Sequence, residues 1–133
     1  MARRAARGLM PIHFTIDHAK RFVHARAEGV CELKDVEAFA DAVVSQDALP
    51  YRKLFDGRQA IAKYTSDDVM MLGARVSAYA TMGPRGALAL VAADEGALEL
   101  ASRFMNLGKE GRPAKAFLSI EEARKWLDAQ PEA

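Results

Sequence analysis

The chain has 133 residues, half of which are apolar. This length and composition fit one compact domain with its own core and leave no room for a second. The formal net charge of +1 depends on three arginines among the first seven residues, so the rest of the chain offers no general basic surface for nucleic acid. The opening residues lack the apolar core of a signal peptide, and no window approaches the roughly 20 apolar residues of a membrane span. We therefore expect a cytoplasmic protein with a basic, disordered tail at 1–9, one domain at 10–130 and a short tail at 131–133.

The first elements in chain order are a hairpin and a helix. Apolar residues alternate with polar ones from Ile12 to Ile16 and again from Val23 to Ala27, with a turn at 17–20 between the two runs. This alternation predicts a β-hairpin with one buried face. Apolar residues from Val36 to Val44 then follow helical spacing, which predicts a helix from Leu33 to Gln46.

The rest of the chain repeats strand and helix units. The first unit is a short strand closed by Asp56-Gly57 and a helix opened by the Thr65 to Asp68 cluster. The second is an apolar strand from Gly86 to Asp94 and a helix ending at Gly108. The third is a strand from Pro113 to Ser119 and a helix opened by the capping box of Ser119 and Glu122. The order ββαβαβαβα predicts an α/β fold with a five-stranded mixed sheet, in which an N-terminal hairpin precedes parallel βα units with about four helices.

Polar side chains collect where these strands are predicted to end. Ligands and chemistry lie outside the carboxyl ends of parallel strands, and here those ends carry Asp56, Arg58, Asp67, Asp68 and Asp94. Asp56 and Asp94 could form a carboxylate pair on adjacent strands. Equally, Asp94 could cap the following helix and Asp56 could belong to a turn.

The segment from Asp56 to Gly73 resembles the switch region of the STAS domain family, which includes anti-sigma-factor antagonists, and especially its SpoIIAA-like branch. In that family a strand ending near an Asn or Asp leads through a loop of fixed length to a serine that opens the second helix. The spacing from Asp56 to Ser66 fits this pattern, and so does the interval from Ser66 to Gly73. With the order of elements, the resemblance covers about residues 10 to 130 and implies a SpoIIAA-like fold.

The resemblance also implies a role for the serine and for the helix that it opens. Ser66 matches the phosphoacceptor of the family, with Thr65 beside it, although Tyr64 and Asp67 stand where the family has Asp and Gly. From the residues alone, Thr65 and Ser66 are preferred helix caps, and acidic residues in the first turn would repel a phosphate. We therefore expect Ser66 to act mainly as a cap.

One face of this helix is more apolar than a core requires. Val69, Leu72, Gly73, Val76 and Ala80 would suffice to cover the sheet. A second apolar set lies off that stripe and comprises Met70, Met71, Ala74, Ala78 and Met82. Flexible methionine with small residues is typical of an adaptable contact, so this set is a candidate interface or apolar ligand site. The alternative is that neighbouring helices and loops cover it.

Metal and cofactor sites are not expected. His13 and His24 would face each other if Ile16 paired with Arg21, but no third ligand is placed near them. No dinucleotide or phosphate loop motif is present. Cys31 is the only cysteine, which favours a small core residue and excludes an intramolecular disulfide.

The sequence thus predicts a STAS-like regulatory module that works by binding. It would contact a protein partner, including a second copy of itself as a homodimer, through the helix that starts near Ser66 and the preceding loop. The alternative is a carrier for a small apolar or lipid-like molecule held between that helix and the sheet. An enzyme is less expected because no nucleophile, base and orienting group fall together, and a hydrolase using Asp56 and Ser66 ranks last.

Overall fold

The computed structural model describes residues 11–63, 65–108 and 112–132. The expected tail at 1–9 and Tyr64 lie outside these residues. Within them, one sheet has its five strands in sequential order, namely β1 (Ile12–Asp17), β2 (Phe22–Cys31), β3 (Arg52–Ala62), β4 (Leu88–Val91) and β5 (Ala114–Phe117). Its helices are α1 (Leu33–Ser45), α2 (Ser66–Ala78), α3 (Glu95–Gly108) and α4 (Ile120–Asp128), and a 3₁₀ turn, Tyr79–Met82, follows α2. The predicted order of elements is confirmed.

The hairpin has a different register from the predicted one. β1 and β2 are antiparallel, with Ile16 opposite Val23 and Asp17 opposite Phe22. The predicted pairing of Ile16 with Arg21 is wrong because Arg21 belongs to the turn, where it adopts a left-handed φ of 53°. The alternation of buried residues is nevertheless retained, since the shift is by two residues and a shift by two keeps the same face.

β3 is longer than the sequence suggested. The strands from β2 to β5 are parallel, but β3 does not end at Asp56-Gly57 and continues to Ala62. Gly57 lies where the β2–β3 register shifts, and a Cβ there would lie 3.2 Å from the carbonyl oxygen of Val91. The glycine therefore allows a bulge and a close approach of two strands, where the sequence indicated a turn. Beyond Asp56, β3 is paired with β2 alone among the described strands.

One face of the sheet is covered by α4. Leu54, Ala89 and Leu127 are almost fully excluded from solvent and form one cluster with Ala123 and Phe117. The predicted cap at the start of α4 is confirmed, because the Ser119 hydroxyl accepts a hydrogen bond from the Glu122 amide at 3.3 Å.

The opposite face carries α1 and α3. Glu32 caps α1 in a reciprocal capping box with Asp35, and Phe39 of α1 packs edge-on against Phe14 and Phe55, with ring centroids 5.2 and 5.6 Å apart. Cys31 is a buried free thiol in this cluster, as predicted. α3 begins where the Asp94 carboxylate accepts a hydrogen bond from the Ala97 amide at 2.8 Å.

α2 lies on other helices. Leu72 and Tyr79 are buried in a cluster whose other members come from α1, from Leu49 and from Phe104 of α3. At the outer surface, Arg75 of α2 pairs with Asp41 of α1 at 2.7 Å. The side chains of Val76 and Ala80, two members of the predicted core stripe, lie outside the described set. The expectation that the stripe covers the sheet is wrong for Leu72, which packs on helices.

Candidate functional site

A cavity of about 250 Å³ lies between the sheet and the helices above it. Phe55 and Leu90 line its floor, Val69 and Leu72 of α2 line its roof, and Phe104 of α3 closes one side. It exists because α2 packs on α1 and α3 at a distance from the strands. Residues in the middle of central strands are normally fully buried, yet Phe55 and Leu90 are only half-buried, which is the local sign of this space.

The lining of the cavity is almost entirely apolar. Besides the floor and roof, Val36 and Ala40 of α1 and Leu100 and Ala101 of α3 contribute aliphatic side chains. Natural cores seldom leave a space of this size, because each unfilled volume forfeits packing energy. Apolar pockets of this kind with a few polar groups are the usual form of a small-molecule site.

Lys53 is the first of the polar groups in the lining. It belongs to β3 on the cavity side and is 5% exposed. Its ammonium donates hydrogen bonds to the carbonyl oxygens of Leu49 and Tyr51, both at 2.6 Å. Burial, together with the nearby charges of Arg112 and Arg85, lowers the pKa of Lys53 to about 7.

Arg112 is the second cation in the lining, immediately before β5. Its Nε is buried and has no hydrogen-bond partner in the part of the chain that the structure describes. Burial, and secondarily the charge of Arg85, lowers the pKa of Arg112 to about 10. Arg85, which precedes β4, is 4% exposed, and its own pKa is lowered by burial.

No carboxylate compensates the charge of Lys53 or Arg112 within residues 11–63, 65–108 and 112–132. The ion pairs found there involve other cations. Lysine and arginine are rarely buried without such a partner. Lys53 and Arg112, with Arg85 nearby, therefore form what we call the cationic end of the cavity.

Asp56 and Arg58 lie away from the cavity. Asp56 shares its strand face with Leu54, toward α4, and Arg58 holds its carboxylate at 2.9 and 2.8 Å through Nε and Nη2. These hydrogen bonds lower the pKa of Asp56, although its burial opposes the shift. Asp94 is engaged with the α3 amide described above. The two carboxylates thus have separate partners; of the alternatives left open by the sequence, Asp94 caps the following helix.

The cap of α2 is Thr65 and not Ser66. The Thr65 hydroxyl accepts a hydrogen bond from the Asp68 amide at 3.1 Å, and the Asp68 carboxylate accepts one from the Thr65 amide at 3.0 Å. This reciprocal pair is a capping box. Ser66 and Asp67 are exposed in the first turn, and phosphorylation of Ser66 stays a prediction. Asp68 also reaches the rim of the cavity.

The second apolar set of α2 faces solvent. Met70, Met71 and Met82 are 65%, 62% and 63% exposed, and Ala74 and Ala78 are exposed as well. Neighbouring elements of the described chain therefore do not cover this surface, which we call the methionine face. The prediction that these residues lie outside the core stripe of the helix agrees with their exposure.

The two histidines do not face each other. His13 is opposite Arg26 and His24 is opposite Thr15, so the pair lies diagonally on one face of the hairpin. Burial is the main cause that lowers the pKa of His24, followed by the charge of Arg124. Across the described residues, no group of three or more potential ligands is suited to a metal ion. That region also contains no helix both long and apolar enough to cross a bilayer.

Sequence reasoning missed the cationic end of the cavity. A lysine two residues before Phe55 was its available signal, because residues at that interval in a strand share one face. Arg85 and Arg112 each precede a strand in loops rich in Gly and Pro, where arginine is usually solvated. Their burial depends on which elements surround them in the fold, which no local pattern encodes.

Comparison with solved structures confirms the fold. The chain is similar to the crystal structure of an uncharacterized protein of the DUF3478 family with a SpoIIAA-like fold from Shewanella loihica PV-4, at 19% sequence identity and a TM-score of 0.58. The match covers 87% of this chain and 93% of the other. The chain therefore has a SpoIIAA-like fold. No protein-family model matches it, and no curated protein was found to be similar.

Proposed function

We propose that this protein is a small binding module that holds an apolar molecule in the cavity beneath α2. One observation carries the proposal, namely an apolar space of about 250 Å³ between the central strands and the helix layer. An engineered apolar cavity of ~150 Å³ already binds benzene, so a space of this size has room for a somewhat larger apolar ligand. The carrier alternative from the sequence is thus favoured over contact with a protein partner.

The test uses an uncharged fluorescent probe, N-phenyl-1-naphthylamine, whose emission rises in an apolar site. We expect saturable binding with one probe per chain. Ala40→Phe would place a ring into the cavity from α1, and it should weaken probe binding at least tenfold. Ala38→Phe is the matched control, because Ala38 is exposed on the same helix and its replacement should leave binding unchanged.

Circular dichroism and urea unfolding would show that both variants keep the fold. Probe binding that is unsaturable, or equally weakened by both substitutions, would argue against a ligand site in the cavity.

A second candidate function is self-association through the methionine face. Its support is the exposure of three methionines at more than 60% each, two on α2 and one in the 3₁₀ turn that follows it, since soluble monomers seldom expose a large contiguous apolar patch. A homodimer would cover this face without closing the cavity, which lies on the other side of α2. The two functions are therefore compatible.

A further inference from the structure

The cavity beneath α2 is apolar along most of its length and charged at one end. β3 lines it from Lys53 to Ala60, a path on the order of 20 Å at ~3.3 Å per residue. Lys53 and Arg112 lie at the amino ends of β3 and β5. Asp68, in the first turn of α2, lies near the opposite end, toward which β3 runs before α2 begins.

The two cations have hydrogen-bonding capacity that the described residues leave unused. The Lys53 ammonium carries three N–H donors and gives two of them to the carbonyl oxygens of Leu49 and Tyr51. The Arg112 Nε–H is buried with no acceptor in the described residues. Buried donors without acceptors, and buried cations without anions, are costly and therefore uncommon. Two charged donors at one end of an apolar space match the two oxygens of a carboxylate.

We propose that the cavity binds an amphiphile with a carboxylate head group, which lies against Lys53 and Arg112 while its aliphatic chain extends beneath α2. This deepens the proposed function, on which it rests, by naming the class of ligand. A chain of roughly eight to ten carbons fits a space somewhat larger than the ~150 Å³ that accommodates benzene. The carboxylate of Asp68 at the far rim would repel a head group placed there, so a single orientation is favoured.

The proposal accounts for the lack of a carboxylate partner for Lys53 and Arg112 among the described residues. A protein carboxylate at this end would satisfy the two donors permanently and would exclude an anionic ligand. With the position left open, the ligand supplies both the counter-charge and the acceptors. Charge-assisted hydrogen bonds in a site shielded from water are the strong ones, so the head group should contribute much of the affinity.

The test is displacement of N-phenyl-1-naphthylamine by three ligands with the same ten-carbon chain, each kept below its critical micelle concentration. Decanoate carries the proposed head group, 1-decanol lacks the charge, and decyl phosphate carries a different anion. For the wild-type protein we expect decanoate to bind at least tenfold more tightly than 1-decanol and more tightly than decyl phosphate.

Variants locate the effect at the cationic end. Lys53→Met keeps the length of the side chain and removes the charge, and it should bring the Kd values of decanoate and 1-decanol within about twofold of each other. Arg112→Met should act in the same direction. Lys125→Met is the matched control, because Lys125 is exposed on α4 across the sheet, and it should keep the wild-type preference.

Each outcome has a distinct meaning. Equal affinity for decanoate and 1-decanol in the wild type would overturn the carboxylate proposal while leaving an apolar site intact. Tighter binding of decyl phosphate would also overturn it. Absence of saturable probe binding would instead remove the proposed function itself. Since Lys53→Met and Arg112→Met should still bind 1-decanol, their affinity for it reports that the fold and cavity persist.

Discussion

The two faces of the sheet differ in how completely they are packed. Toward α4, Leu54 and Leu127 are fully buried in one apolar cluster. Toward α1, α2 and α3, Phe55 and Leu90 remain half-buried and line the cavity. Close packing provides stability, and space provides room for a ligand. The difference suggests that stability is concentrated on the α4 face and binding on the other.

The largest effect should come from truncating the packed face. Leu127→Ala removes a fully buried side chain and should lower the free energy of unfolding by about 3 kcal/mol, within the range for such core substitutions. Leu100→Ala removes a side chain that is only half-buried, so it should cost less than about 1.5 kcal/mol. Urea unfolding of both variants is the measurement. Equal losses would show that the cavity face contributes as much packing energy as the α4 face.

The burial of Lys53 should make the free energy of unfolding depend on pH. The pKa of Lys53 falls from its ordinary 10.5 in the unfolded chain to about 7 in the fold. Between these values the unfolded state binds the proton that the native state has lost, so stability rises with pH through this window. Across pH 7.5 to 9.5, wild type should gain about 2 kcal/mol relative to Lys53→Met, since a one-proton difference amounts to ~1.4 kcal/mol per pH unit.

Comparison with the variant removes the contribution of every other titrating group. Among the described residues, Arg112, Arg85 and Asp68 are the charged groups around Lys53 or along the cavity, and all three are present in both proteins. Parallel pH profiles of the two free energies of unfolding would show that Lys53 is not desolvated in the native state.

A smaller effect is expected at the start of α2, the roof of the cavity. Thr65→Ala removes the hydroxyl acceptor of the capping box and should cost about 1 kcal/mol. Ser66→Ala removes an exposed hydroxyl in the first turn and should change stability by less than about 0.5 kcal/mol. Thermal and urea unfolding distinguish the two, and a larger cost for Ser66→Ala would reassign the cap.

The smallest change in stability should come from the outer side of the roof. Met71→Glu places a charge at a side chain that is 62% exposed, so the free energy of unfolding should stay within about 0.5 kcal/mol of wild type. If the methionine face is a dimer contact, the variant should be monomeric in sedimentation velocity at concentrations where wild type is dimeric, because the charge would have to be desolvated. A wild type that stays monomeric would remove the second candidate function.

Periodicity predicted the fold because each element carries its own repeat. The spacing from Val36 to Val44 was enough to place α1, and the doubly apolar run around β4 indicated a strand covered on both sides. Two local details failed for identifiable reasons. Arg21 adopts a conformation typical of glycine and moves the four-residue turn of the hairpin one position along the chain. Asp56-Gly57, a common turn pair, accommodates a bulge within a continuous strand.

The candidate site was only partly predictable. The exposed methionine face follows from helical spacing alone, and the carrier alternative followed from its apolar excess. The cavity itself depends on how far α2 stands from β3 and β4, and the burial of Lys53 and Arg112 depends on which elements surround them in the fold. Such quantities are set by the packing of three helices against one another, so they are properties of the assembled fold and not of any segment.

The sequential order of the strands has a consequence for biosynthesis. Each parallel crossover advances in the same direction and has the same right-handed sense, which directs α1, α2 and α3 to a single face of the sheet. The other face is covered by α4, which follows all five strands along the chain. During translation, Leu54 and Ala89 therefore stay exposed until Ile120–Asp128 has been made. Transiently exposed apolar surface promotes aggregation, so the nascent chain should be most dependent on chaperones in the interval between the completion of β5 and the docking of α4.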